Sequence, residues 1–104
     1  MFKVRVAAVA QRDLDGMIEW LATRNPAVAM RVSADIQAVL RRDLRDAPKR
    51  YRYFWITGEP YRGRLLGVSR NLKIWIVYAV DDATQTVRVV RIWNASRDPA
   101  AFEL

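Results

Sequence analysis

Polar and apolar positions alternate along residues 2–8, with Phe2, Val4, Val6 and Ala8 on one side and Lys3 and Arg5 on the other, which predicts a half-buried strand. From about Ala10 the period lengthens. Leu14, Met17, Ile18, Leu21 and Ala22 fall three and four apart, the stripe of an amphipathic helix. Asn25-Pro26 ends that helix and opens another, because Asn is a good N-cap and Pro a good first helical residue. The second helix carries Val28, Val32, Ile36, Val39, Leu40 and Leu44 on one face and stops at Ala47-Pro48. So short a link makes the pair an antiparallel helical hairpin.

Beyond Pro48 the pattern reads as strands: residues 51–57, 62–70, 73–80 and 86–93. Gly58-Glu59-Pro60, Arg70-Asn71-Leu72 and the polar run 81–86 read as the turns between them. Ile74, Ile76, Tyr78 and Val80 are the core-facing set of the third of these strands, and residues 94–104 form a short tail with room for one helical turn. The expected fold is α+β and one domain, residues 1–104: an N-terminal strand, a helical hairpin, then a three- or four-stranded, mostly antiparallel sheet. The hairpin covers one sheet face and leaves the other to solvent or a partner.

Composition narrows the chemistry. The chain has no Cys and no His, so disulfide frameworks, thiol chemistry and Ser-His-Asp catalysis are excluded. No metal and no cofactor is expected, since a zinc site would need carboxylates alone. The N-terminus lacks the apolar core of a signal peptide and no apolar run is long enough to span a membrane, so the expected setting is the cytoplasm.

The net charge is +7, and Arg supplies most of the cations. Arg suits planar, multidentate contacts to phosphate or carboxylate, which points to a polyanion or an acidic protein as partner. The charge is unevenly placed. Residues 10–46 balance six Arg with six acids, whereas residues 49–73 hold Lys49, Arg50, Arg52, Arg62, Arg64, Arg70 and Lys73 against Glu59 alone. The excess is therefore expected on the sheet half, emerging on the face the helices do not cover. Tyr51, Tyr53, Trp55, Tyr61 and Trp75 interleave with these cations and serve either base stacking or core packing. A simple basic binding module would share these features.

Several stretches together resemble the RelE/ParE superfamily of toxins from type II toxin–antitoxin systems. They are Asp13-Leu14-Asp15 with Ile18-Glu19-Trp20, the link 25–29, Tyr61-Arg62-Gly63-Arg64-Leu65, the run 76–82 ending in Asp81-Asp82, and 89–93 followed by Ser96-Arg97-Asp98-Pro99. The resemblance implies a cognate antitoxin and one of two targets: DNA gyrase for ParE-type members, or mRNA on the ribosome for RelE-type members, which cleave it without a metal. Carried over by position, Arg62 and Arg64 stand where RelE-type members have two Lys, and Arg97 stands near the Arg after the last strand. Lys73 lies two residues from the position of a further Arg, which is Trp75 here. The C-terminal Tyr of that set is missing, Phe102 being the nearest aromatic, and Asn94 replaces a frequent His.

The candidate catalytic residues are thus Arg62, Arg64, Lys73 and Arg97, and the candidate target-binding residues Arg52, Arg62, Arg64, Arg70 and Arg97. Arg stays protonated and makes a poor base, so no general base is assigned. Parity puts Arg62 and Arg64 on one face, and the expectation is that both are exposed, with Arg97 folded back beside them. The incomplete nuclease set and the long hairpin favour the ParE-type reading over mRNA cleavage.

Overall fold

The computed structural model describes residues 1–51, 53–56, 59–69 and 72–95, with side chains for 1–51, 61–67 and 72–95. Strand β1 (Lys3–Val6) leads into helix α1 (Ala8–Arg24) and helix α2 (Pro26–Ala38). A wide π-helical turn, Val39–Asp43, continues α2 into the short α3 (Leu44–Asp46), and Pro48–Arg50 form a single 3-10 turn. Strands β2 (Tyr53–Ile56), β3 (Glu59–Ser69), β4 (Leu72–Asp81) and β5 (Thr86–Asn94) follow. They make one five-stranded sheet in the order β1-β5-β4-β3-β2. Strand β1 runs parallel to β5, which the intervening helices make possible, and every other pairing is antiparallel.

The local signals act as expected at the hairpin. The Asn25 side chain accepts a hydrogen bond from the Val28 backbone N–H at 3.2 Å, and Pro26 opens α2. Two alternations then close the core. Ala10, Leu14 and Leu21 of α1 and Ala29, Val32 and Ile36 of α2 meet Ile74, Ile76 and Tyr78 of β4 and Val87, Val89 and Ile92 of β5. Each fully buried Leu, Ile or Val contributes about 1.5–3 kcal/mol relative to exposure. The opposite sheet face carries its own small apolar cluster: Val77 and Val90 are buried there, with Tyr61, Trp75 and Trp93 packed against them. The aromatic residues of that face seal the sheet.

Strand β5 takes one extra residue at Val90, where the register jumps between Val77 and Tyr78. Beyond Val89 it also loses its neighbour, since β1 ends at Val6. Helix α1 takes over that edge. Asp13 accepts from the Ile92 backbone N–H at 3.1 Å and holds the Arg91 guanidinium through Nε at 2.7 Å and Nη2 at 3.1 Å. A carboxylate from the helix thereby does what a further strand would do.

Three expectations need correction. Glu59 and Pro60 belong to β3 and not to a turn, while Thr57 and Gly58 lie outside the described residues. Strand β3 pairs only with β2 until Arg62, an edge-like stretch where a strand tolerates proline. Leu72 is a buried strand residue, and Arg70 and Asn71 lie outside the described residues. The second helix is not one uniform α-helix to Ala47: the Leu44 N–H reaches back five residues to the Val39 carbonyl. Helix α1 carries Gly16 in its middle, exposed, with open space where a Cβ would stand. Such a glycine costs about 0.5–1 kcal/mol against Ala, and no packing among the described residues offsets it.

Candidate functional site

Strand β3 sets the site through its register with β4. Leu66 lies opposite Ile74 and packs on the main core, so Arg64 opposite Ile76 and Arg62 opposite Tyr78 must share that helix-side face. This corrects the expected position of the charge. The two arginines are together, as parity demands, but on the covered face and half-buried, not exposed on the far one. Strand β3 runs past the helical hairpin there, and the segment from Asp43 to Tyr51 roofs it.

Arg62 is a clamp on that segment. Its Nη1 donates to the Lys49 carbonyl at 3.1 Å and the Tyr51 carbonyl at 2.6 Å. The Tyr78 hydroxyl donates to the Pro48 carbonyl beside it. Burial pushes the Tyr78 phenol well above its ordinary value, a shift that the nearby Arg62, Arg50 and Arg64 only partly oppose. Tyr78 is therefore a neutral donor and no base.

Arg64 sits at the centre of a second group. Its guanidinium lies 5.1 Å from the centre of the Tyr51 ring, and Nη1 donates to the Leu65 carbonyl. The Asp43 carboxylate is 3.7 Å from Arg64 Nε and accepts from the Tyr51 hydroxyl at 3.1 Å. Arg64 Nε is out of contact with water and has no hydrogen-bond acceptor. Arg50 approaches the same tyrosine ring at 5.5 Å, and Lys49 pairs with the exposed Asp82 at 2.6 Å. Cations thus converge on Tyr51, with Asp43 as the local counter-charge.

The other candidates do not join this group. Lys73 shares the opposite sheet face with Trp75 and Val77, so it cannot act beside Arg62 and Arg64. Arg52, Arg70 and Arg97, and with them Phe102, lie outside the described residues. Asp43 escaped the sequence reading as a site residue, and Tyr51 entered it only among the aromatics interleaved with the cations. Pro48, which turns the chain between them, was a signal that they could meet over β3. Among the described residues no cluster of acidic side chains could hold a metal ion, and no helix is long and apolar enough to cross a membrane.

The N-terminal strand, helical hairpin and mixed sheet match the fold of RelE/ParE-like toxins. The model of the ParE toxin of type II toxin–antitoxin systems matches residues 4–99. The chain belongs to that family. Its fold is similar to a chain of the RelBE2 toxin–antitoxin complex from Mycobacterium tuberculosis, with a TM-score of 0.63 and 20% identity over 92% of this chain and 93% of that one. It is also similar to a chain of the chromosomal ParDE system from P. aeruginosa, with a TM-score of 0.56 and 16% identity over 90% and 96% of the two chains. No curated protein matches it in sequence.

Proposed function

We propose that this chain arrests growth by inhibiting DNA gyrase and that a cognate antitoxin holds it inactive. The observation that carries the reading is the ParE toxin match over nearly the whole chain. The chemistry of the site agrees. Arg62 and Arg64 supply positive charge, but among the described residues no free base stands beside them: Lys73 is on the other face, Tyr78 is a buried neutral donor, and Asp43 is engaged by Tyr51 and Arg64. A surface that binds a target needs no proton acceptor, whereas cleavage of RNA does. The structural likeness to the RelBE2 and ParDE complexes supports an antitoxin partner.

Ribosome-dependent mRNA cleavage is the alternative, and it draws on one observation: Arg62 and Arg64 stand together on one strand face, two cations that a phosphate could meet. Controlled expression followed by two assays separates the readings. Inhibited supercoiling or trapped cleaved DNA is the expected result with purified protein. Codon-specific cuts in ribosome-bound mRNA, with gyrase unaffected, reverse the order. Harmless expression together with no binding by the product of either adjacent small open reading frame ends the toxin reading.

A further inference from the structure

The helical hairpin carries an apolar groove of about 490 Å³ along the exposed seam between its two helices. Ile18 and Ala22 line it from α1, and Pro26, Ala29, Ser33 and Ala34 line it from α2, so no charged side chain faces it. Met30 borders the same groove and is 75% exposed. Val9 and Trp20, the apolar side chains exposed on α1, lie outside it.

Charge decides which partner fits. Residues 10–46 balance six Arg with six acids, so the whole net +7 of the chain comes from outside the hairpin. An acidic partner is drawn to the cations of β3 and its roof, and this groove offers it none. What the groove matches is an uncharged surface with an apolar side chain projecting beside a recess. This chain supplies both halves. Met30 is the projection, and a flexible, unbranched thioether adapts to an irregular recess. Ala22, Ala29, Ser33 and Ala34 are small enough to leave that recess open. A two-fold axis lets each Met30 enter the groove of the other copy, the self-complementary contact of a symmetric dimer. The charges next to Ile18 and Met30 are of opposite sign, Glu19 and Arg31, so the rim repels neither sign. Repulsion between the two basic halves is screened beyond roughly 8 Å at about 0.15 M ionic strength.

We propose that the free chain forms a reversible two-fold dimer through this groove, with each Met30 seated between α1 and α2 of the other copy. Helix α1 is 17 residues long, which makes the hairpin face about 25 Å long and about 20 Å wide. Roughly 500 Å² per copy falls short of the ~800 Å² per partner of a standard stable interface, so the expected Kd is about 10–100 μM. The groove shares no residue with the Arg62–Arg64 site, and the proposal stands whichever target the toxin has.

Sedimentation of the purified free chain from about 5 to about 500 μM reads this equilibrium. Wild type is expected to pass from monomer to dimer across that range. Met30→Glu and Ala34→Lys are expected to weaken the dimer at least about tenfold, since each sets like charges against an apolar contact. Both should melt like wild type, because the positions are exposed and Glu and Lys are good helix formers. Raising ionic strength from about 0.05 to about 0.5 M should tighten the dimer several-fold, as screening removes repulsion and leaves the apolar contact.

A wild-type chain that stays monomeric throughout overturns the proposal and leaves the toxin reading standing. A dimer unchanged by both substitutions overturns it by placing the contact elsewhere. Weaker antitoxin binding by Met30→Glu, with a free chain that never dimerises, overturns it and gives the groove to the antitoxin. Should the variants fail to fold, the salt response decides: a wild-type dimer that loosens as salt rises is held by ion pairs, and the proposal falls.

Discussion

Arg62 and Arg64 differ by two positions and by role. Arg62 spends its guanidinium on the carbonyls of Lys49 and Tyr51, so its loss would loosen the roof of the site. Arg64 stacks on Tyr51 and faces the Asp43 carboxylate. Arg64→Ala should therefore lower target inhibition at least about tenfold while costing about 1–2 kcal/mol, more than an exposed change because its stem is packed. Denaturant melts beside supercoiling assays check both numbers, and an unfolded Arg64→Ala protein would make the residue structural. Tyr78→Phe is the control. It deletes only the hydroxyl bonded to Pro48, so stability should fall by about 0.5–1.5 kcal/mol with activity intact. Its pH dependence has a sign. The folded phenol has a raised pKa, so its stabilisation is whole below the ordinary value of 10.0 and is lost as pH rises above it. Wild type should weaken more steeply than Tyr78→Phe in alkaline denaturation; parallel curves would show that this phenol is not the titrating group. The pairing of Arg62 with Arg64 was legible in the sequence, as was their sharing a face with Leu66. That face had to be the core face because Leu66 is on it, a step that the search for exposed charge passed over.

At the scale of elements, punctuation made the hairpin readable. Asn25-Pro26 caps and starts a helix by mechanisms confined to a few residues, and both stand where the sequence predicts. The strands were readable for the same reason, since period-two alternation is local. Features that depend on distant partners were not. Nothing near Val39–Asp43 marks a π-helical turn, and nothing near Val90 marks an extra residue, because each answers to the strand or helix packed against it. Pro60 was misleading because proline marks turns and strand starts alike. The bond of α1 to β5 is of this distant kind: Asp13 and Arg91 meet across the fold, with side chains 17% and 14% exposed. Asp13→Ala should cost about 2–4 kcal/mol, since it takes the carboxylate from a largely buried guanidinium and from the Ile92 N–H. Asp13→Asn should cost less, because its amide oxygen still accepts from Ile92. If both melt like wild type, the edge of β5 is held by something other than this carboxylate.

Across the whole molecule, charge and apolar surface are separated. The basic excess gathers around β3 and the segment that roofs it, while Val9 and Trp20 stand exposed on α1 and Met30, 75% exposed, on α2. An antitoxin meeting such a surface would be steered by long-range charge and then retained by short-range packing. These two stages respond differently to salt. At about 0.15 M ionic strength the field of exposed charges is already screened beyond roughly 8 Å, and more salt shortens that reach, whereas buried apolar contacts are little affected. Raising ionic strength from about 0.05 to about 0.5 M should therefore slow association with the antitoxin by about tenfold or more and change the dissociation rate far less. Stopped-flow mixing with a fluorescent antitoxin reads both rates. Replacing the exposed Arg12 by Glu reverses one charge and so removes two of the net +7, which should flatten the salt slope by roughly a third or less. A dissociation rate that rises steeply with salt, with association unchanged, would mean that ion pairs and not apolar packing hold the finished complex.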